Sequence, residues 1–408
     1  MPERSFSYRD LLGVRGLPAL LGAATLARLA DRMLSLAIVL YVLARFGSPT
    51  LAGWLTFAVI APGLLVSPLA GAILDRLGSV RAVALDMAVS SALILVLVLA
   101  GRSGRATPAT LFVLVGLFSL TSPLSVAGIR TLLPRSVPKS ALDRVNALDT
   151  ATHALADVLG PVLAGLLVAF AGAAPALTVI ASTYGAAAMS IAFVRRVQEP
   201  FASRDTLFSQ TIDGIRAVIC QSALRGLAVS YALYQITWGM LVIAVPVAAT
   251  RMFPANTGES VTGLLWAVAG IMGGAGAVVA GRLRTAGRER QVMAGGMLAT
   301  ALAVWPVAAT SGLTGLALGL TIAGLAGGPI DVGLLTMRQR LTDPAALGRV
   351  LAVSISLNIS GFPIGSALAG MLITYSLPVA FIVAGLASIL AAITVWIIPK
   401  DIEPNAVA

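Results

Sequence analysis

One apolar stretch of this sequence carries three titratable side chains at a regular spacing. Asp149, His153 and Asp157 follow one another at intervals of four residues, which places them on one face of a helix. Ionisable groups inside an apolar helix are costly to bury, so they are candidates for ion binding or proton transfer. His153, the only histidine, changes charge near neutral pH and is either a proton relay between the aspartates or a packing residue. Asp149 is expected to be a hydrated residue near the helix end.

A second charged group lies in an earlier apolar stretch. Arg28 precedes Asp31 by three residues on the same helical face and is the expected partner of its carboxylate. Arg32 points elsewhere, toward Asp157 or a substrate. If both stretches cross a bilayer, Asp31 and Asp157 approach its middle. These two aspartates either exchange a proton, or Arg28 and Asp31 form a fixed structural ion pair.

Aromatic residues and one further aspartate suggest where an organic molecule binds. Tyr234, Gln235 and Trp238 lie on one face of a later apolar stretch, where they form a stripe with Tyr231 that suits a lipophilic or cationic ligand. Helix packing or an interfacial aromatic belt is the alternative. Asp331 follows a Gly-Gly-Pro sequence, and it either lines a cavity or caps a broken helix.

The same inventory excludes several kinds of chemistry. Cys220 is the only cysteine, so the chain forms no internal disulfide and no cysteine metal cluster, and a second histidine for a metal site is missing. We find no glycine loop with lysine for a nucleotide and no cofactor signature. We therefore expect neither an enzyme nor a bound metal or cofactor.

The elements that must position these residues are membrane-spanning helices. Hydrophobic residues make up 58% of the chain and charged residues only 11%, whereas a soluble domain has about 25% charged residues. A bilayer core requires about 20 apolar residues per helix. Twelve stretches meet this length: 17–44, 51–74, 82–101, 108–133, 145–171, 174–194, 224–249, 258–281, 291–312, 313–337, 347–373 and 377–398.

The net charge of +11 follows from topology rather than from nucleic-acid binding. With twelve spans, most Lys and Arg residues fall in the segments on the side of the two termini. This bias is the positive-inside pattern, and it predicts a cell (cytoplasmic) membrane protein with both termini in the cytoplasm. Arg clusters in these segments suit contact with lipid headgroups.

The chain also repeats itself. A shift of 205 residues aligns Gly160 with Gly365 and His153 with Asn358, so the fifth span matches the eleventh. We predict two six-helix bundles, residues 1–194 and 224–408, joined by a cytoplasmic linker at 195–223. Asp149 and Asp157 correspond to Ser354 and Phe362, so only the first half keeps the titratable groups on this helix.

The segment after the second span contains a motif with a physical role. The motif residues are Gly71, Asp75, Arg76, Gly78 and Arg81. The glycines permit a tight turn and close helix contact, while Asp75 can pair with Arg76, Arg81 or Arg130 as a latch that closes the cytoplasmic side. A plain structural turn is the alternative. This pattern resembles the signature of the major facilitator superfamily, except that Ser79 and Val80 replace basic residues.

A second motif resembles a particular branch of that superfamily. Gly160 and Pro161, followed by Ala164 and Gly165, are similar to its antiporter motif, in which proline removes a backbone donor and small residues let helices approach. The segment 123–146 is similar to the drug:proton antiporter branch of enterobactin and macrolide exporters. The resemblance implies export and gives Gly160 and Pro161 a gating role.

Together these features predict an all-α membrane protein with twelve transmembrane helices in two pseudo-symmetric six-helix bundles, the major facilitator fold. We expect a monomer that exports an amphipathic or hydrophobic small molecule against inward proton movement by alternating access. Its partners would be the substrate, protons and membrane lipids. The alternatives are an importer or uniporter of the same fold, and a membrane ligand sensor without transport activity.

Overall fold

The computed structural model describes residues 8–138, 141–194, 215–216, 218–254, 256–282, 287–308, 312–342 and 347–398. All regular secondary structure in these ranges is helical. A short helical segment, Tyr8–Leu12, comes first. The long helices follow in chain order as α1 Leu17–Phe46, α2 Pro49–Leu77, α3 Ser79–Arg102, α4 Pro108–Arg135, α5 Leu142–Ala171, α6 Ala173–Ala192, α7 Ser222–Met252, α8 Thr257–Arg282, α9 Glu289–Ala308, α10 Gly312–Leu341, α11 Leu347–Ile359, α12 Gly361–Tyr375 and α13 Leu377–Ile397.

These helices fall on the twelve predicted spans, and the all-α fold class is confirmed. The eleventh predicted span consists of α11 and α12, which meet at Ser360. Within the described ranges, ten helical segments are long and apolar enough to cross a membrane. Helices suit this setting because each one satisfies its own backbone hydrogen bonds where lipid offers no partner.

The segment after the second span, where the sequence predicts a tight turn, is helical except at one residue. Helix α2 continues through Arg76 to Leu77, and only Gly78 interrupts it before α3 begins at Ser79. Gly78 has φ 83°, a conformation that side chains with a Cβ atom rarely adopt. The motif therefore joins two helices by a single glycine.

Contacts divide the chain into two compact units. Unit 1 contains Met1–Ala37 and Ala58–Phe208, and unit 2 contains Ile38–Phe57 and Ser209–Ala408. The predicted domain boundaries at 194 and 224 stay a prediction, and most of the predicted linker lies outside the described residues.

Unit 1 is held together by small residues and hydroxyl groups at its helix crossings. Helix α3 packs against α4 and α6. The Gly63 amide of α2 donates to Ser119 Oγ of α4 at 2.9 Å, and Ser91 Oγ of α3 donates to the carbonyl of Ala181 in α6 at 2.8 Å. A side chain at Gly128 of α4 would collide with α3. These contacts bring α3, which carries Asp86, close to its neighbours.

Unit 2 is organised around α7, which packs against α12 and α13 and is buried from Gly239 to Ala249. A Cβ atom at Gly239 would overlap the backbone of Phe362, and one at Gly365 would overlap the backbone of Ile236. At the start of α2, which belongs to this unit, Thr50 Oγ1 donates to the carbonyl of Gly370 at 3.0 Å. Close packing of small residues therefore sets the α7–α12 crossing.

Candidate functional site

Two ion pairs connect α1 with α5 in unit 1. In the first, Arg28 Nη2 lies 2.6 Å from Asp149 Oδ1, and Arg28 Nη1 donates to Thr152 Oγ1 at 2.5 Å. The Arg28 and Asp149 side chains are 11% and 21% exposed. In this partly buried position the ion pair and its additional hydrogen bond hold the two helices together.

The second ion pair lies one helical turn further along α1. Arg32 Nε is 2.5 Å from Asp157 Oδ1, which confirms that Arg32 points toward Asp157. These side chains are 50% and 45% exposed, so this pair is far more accessible than the first. Gly160, three residues after Asp157, permits the contact, because a Cβ atom there would overlap Arg32. The accessible carboxylate of Asp157 is therefore held by a cation on the neighbouring helix.

The structure corrects the expected partners of Arg28 and Asp149. Arg28 pairs with Asp149 instead of Asp31, and Asp149 belongs to an interhelical ion pair instead of being a hydrated helix end. An arginine in a helix can pair with an aspartate of its own helix or with one of a helix packed against it. Here Arg28 pairs across the α1–α5 contact. A fixed Arg28–Asp31 pair is thereby ruled out in this structure.

Asp31 instead has a tyrosine as its partner. The hydroxyl of Tyr184 in α6 donates to Asp31 Oδ1, and the Tyr184 side chain is only 2% exposed. Sequence reasoning missed Tyr184, which lies 153 residues away. The available signal was the single tyrosine of this span, because a buried tyrosine hydroxyl usually has a hydrogen-bond partner.

His153 lies between the two ion pairs. It is half-buried and within electrostatic range of Arg28, Asp149, Arg32 and Asp157. Within the described residues no hydrogen bond joins His153 to either carboxylate. A relay through direct hydrogen bonds is therefore not formed here, and the role of His153 stays a prediction.

Unit 2 contains a row of aromatic rings, three on α7 and one on α8, and we call it the aromatic row: Tyr231, Tyr234, Trp238 and Trp266. Successive ring centroids lie 5.9, 6.4 and 6.0 Å apart. Tyr234 is 1% exposed and packs in the core, where its hydroxyl lies 3.2 Å from Thr300 Oγ1. Trp238 and Gln235 are partly exposed and are therefore more accessible than Tyr234, while Asp331 of α10 is exposed.

Polar groups lie beside the aromatic row. The hydroxyl of Tyr231 donates to Asp331 Oδ1 of α10 at 2.5 Å. On the same helix, the Arg338 side chain is buried, with 4% of the residue exposed. Its guanidinium donates to the amide oxygen of Asn358 when that amide is oriented so that both its oxygen and its nitrogen form hydrogen bonds. Asn358 is the counterpart of His153 in the repeat. Sequence reasoning missed Arg338, because an arginine near a helix end is usually assigned to topology.

The predicted latch is only partly described. Gly78 forms the expected tight turn, and Arg76, Arg81 and Arg130 are exposed. The surroundings of Gly71 and the side chain of Asp75 lie outside the described part of the chain. The pairing of Asp75 with these arginines stays a prediction. No group of three or more His, Cys, Asp or Glu residues that could hold a metal ion occurs among the described residues.

Known proteins and one protein family resemble this chain over most of its length. The family model described as Major Facilitator Superfamily matches residues 20–283 and 227–407. A Sinorhizobium fredii protein described as "Uncharacterized MFS-type transporter y4rN" is 52% identical over 404 residues, which cover 99% of this chain and 100% of that protein. The "Multidrug efflux pump Tap" of Mycobacterium bovis is 27% identical over 370 residues, 86% of each chain.

Solved structures share the fold at low sequence identity. The crystal structure of the nucleoside transporter NupG (D323A mutant) aligns with a TM-score of 0.76 and 12% identity. The alignment covers 93% of this chain and 99% of that one. At 12% identity this similarity supports a shared fold and nothing further.

Proposed function

This chain belongs to the major facilitator superfamily of membrane transporters, and we propose that it exports an amphipathic or hydrophobic small molecule in exchange for protons. The observation that carries the proposal is the accessible ion pair between Arg32 of α1 and Asp157 of α5. We infer that the exposed side of this pair faces water, so that protonation of the carboxylate can open the pair. A transporter that couples to protons needs such a group on an element that moves.

The proposed coupling step uses the charge of Asp157. When Asp157 is ionised, its carboxylate holds Arg32 and thereby α1. A proton on Asp157 removes the negative charge and weakens this pair, so Arg32 is released and the α1–α5 contact can change. The Arg28–Asp149 pair, which is less exposed, keeps the two helices together meanwhile.

Asp31 supplies a second protonatable carboxyl on α1. The Tyr184 hydroxyl donates to it, and Arg28 and Arg32 lie within electrostatic range. A change in the Arg32–Asp157 pair therefore alters the electrostatic surroundings of Asp31. We propose that Asp31 and Asp157 bind and release the transported proton, while Gly160 and Pro161 accommodate the rearrangement of α5.

For the substrate, the accessible end of the aromatic row is the best candidate. Trp238 offers a large ring face and Gln235 an amide, and Asp331 favours molecules with a positive charge. Export is supported by the antiporter-like motif at Gly160 and by similarity to the Tap efflux pump. We further propose that the chain resides in the cytoplasmic membrane with both termini in the cytoplasm.

The proposal is tested in proteoliposomes with an imposed pH gradient. A panel of fluorescent hydrophobic cations is screened for movement that is accompanied by proton flux, which a pH-sensitive dye reports. We expect a compound of this class to drive proton movement through the wild-type protein and none through Asp157→Asn. Substrate flux without proton movement would contradict the antiport and indicate a uniporter.

Two other activities of the same fold give different results. An importer would move the compound in the same direction as the proton. A ligand sensor without transport activity would bind a compound saturably but show no flux, and Asp75→Ala in the motif around Gly78 would leave this binding unchanged. Export, import and binding without transport are therefore distinguished by whether the compound moves in sealed vesicles and in which direction relative to the proton.

A further inference from the structure

A carboxyl group that the proposed coupling does not use lies inside unit 1. Asp86 of α3 is only 3% exposed, and hydroxyl groups surround its carboxyl. The Ser125 hydroxyl of α4 donates to Asp86 Oδ2, and the hydroxyls of Thr121 on α4 and Ser90 on α3 face the same carboxyl. Asp86 Oδ1 has no hydrogen-bond partner among the described residues.

Among the described residues, no cation forms an ion pair with this carboxyl group. In the described part of the chain, the ion pairs are Arg28–Asp149, Arg32–Asp157 and Arg340–Glu289, and none involves Asp86. An ionised carboxylate buried without a cation costs several kcal/mol or more, so proton binding to such a group is favoured. Asp86 Oδ2 already accepts a hydrogen bond from Ser125, which leaves Oδ1 to carry a proton.

Asp86 also has an electrostatic connection with Asp31. Both Asp31 and Tyr184 lie within electrostatic range of Asp86. Tyr184 donates to Asp31, and its ring packs edge-on against Phe118 of α4 with centroids 5.9 Å apart. Within the described ranges, the titratable groups that face Asp86 are Asp31 of α1 and Tyr184 of α6, while α4 contributes hydroxyls. Two negative charges in this low-dielectric interior repel each other, so the two carboxyl groups cannot ionise independently.

We propose that Asp86, with Ser90, Thr121 and Ser125, is a second proton-binding site whose occupancy is coupled to that of Asp31. The site differs from the Arg32–Asp157 pair, because it is deeply buried and has no ion-pair partner in the described part of the chain. Proton binding at Asp86 can be measured without the transported compound. Its contribution to transport rests on the proton-coupled exchange described above.

Infrared titration of the full-length protein in liposomes tests the site with protons as the only ligand. The C=O stretch of a protonated carboxyl group is recorded against pH for the wild type, Asp86→Asn, Asp31→Asn and Asp157→Asn. We expect Asp86→Asn to remove one titrating band that Asp157→Asn retains. Asp31→Asn should change the pH midpoint of that band, because it removes the charge that faces Asp86.

Three results would overturn the proposal. Asp86 is a structural acid if its band is present at every pH at which the protein stays folded. It remains ionised if Asp86→Asn removes no band. It binds a metal ion if sodium, but not choline, abolishes the band. Should Asp86→Asn fail to fold, Ser125→Ala answers the same question, because loss of the hydrogen bond must shift the frequency of the Asp86 band.

This experiment separates the site from the transport activity. If the Asp86 band titrates while no compound moves protons in the flux assay, the antiport proposal fails and the proton site stands. If Asp157→Asn abolishes coupled flux while Asp86→Asn changes neither the infrared titration nor the flux, the antiport stands and the second site fails.

Discussion

Gly160 of α5 lies directly against Arg32 of α1, because a Cβ atom at position 160 would overlap the Cβ atom of Arg32. The two helices therefore touch at the point where Arg32 holds Asp157. The corresponding glycine of the repeat, Gly365, lies equally close to Ile236 of α7. Both halves thus contain a close helix crossing at a glycine, and among the described residues an ion pair lies beside the crossing of the first half.

The first prediction concerns the space at this crossing. Gly160→Ala must push α1 away from α5, and we expect it to lower the stability by about 1–3 kcal/mol, the usual cost of overpacking. The measurement is the thermal unfolding midpoint of the purified protein in detergent. Gly116→Ala in α4 is the control, because a Cβ atom there meets nothing within 4 Å. Equal midpoints for the two variants would contradict the close contact at Gly160.

The second prediction compares the two ion pairs. Arg28→Gln leaves the Asp149 carboxylate partly buried without its cation and also loses the bond to Thr152. We expect a loss of stability of about 1.5–3 kcal/mol, as for hydrogen bonds to charged groups. Arg32→Gln should cost less than about 1 kcal/mol, because its pair with Asp157 is half-exposed.

We expect the effects of the two substitutions on transport to follow the opposite order from their effects on stability. Arg32→Gln should impair proton-coupled flux more than Arg28→Gln does, once the amount of folded protein is equalised. The flux assay with a pH-sensitive dye measures this ratio. A larger loss of coupling in Arg28→Gln would assign the coupling step to the Arg28–Asp149 pair instead.

The third prediction tests the partner of Asp31. Tyr184→Phe removes the hydroxyl that donates to Asp31 and leaves one buried carboxyl oxygen without this donor. We expect the pH profile of coupled flux to shift, because the hydrogen bond acts on the ionised carboxylate more than on the neutral acid. The control is Tyr41→Phe, since the buried Tyr41 hydroxyl has no hydrogen-bond partner within the described ranges. An unchanged profile in Tyr184→Phe would show that Asp31 does not carry the coupled proton.

The fourth prediction addresses the aromatic row. Trp238→Ala removes the partly exposed ring of the row and should raise the half-saturation concentration of a hydrophobic cation by about fivefold or more, which matches a stacking contribution of about 1 kcal/mol. Trp238→Phe should restore part of the affinity. Phe170→Ala is the control, because Phe170 is 85% exposed at the end of α5. If Trp238→Ala leaves the half-saturation concentration unchanged, the substrate binds elsewhere.

The helices could be predicted closely, whereas the side-chain pairs could be predicted only in part. The hydropathy pattern located the spans to within a few residues, and the turn between the second and third spans is shorter than expected, because α2 continues to Leu77. Arg32 was expected to meet Asp157 or a substrate, and it pairs with Asp157. The predicted partner of Arg28 was wrong, and the hydrogen bonds of Tyr184 and Arg338 were not predicted.

Hydropathy alone was enough for the all-helical architecture, because a segment in lipid must satisfy its backbone hydrogen bonds internally and only its own residues decide that. Which carboxylate a cation binds depends on distances between helices, and these distances follow from packing at residues such as Gly160. Arg28 had Asp31 within reach on its own helix, yet the packed bundle brought Asp149 closer and gave Asp31 to Tyr184. No local spacing encodes that outcome, because it depends on how α1, α5 and α6 are packed together.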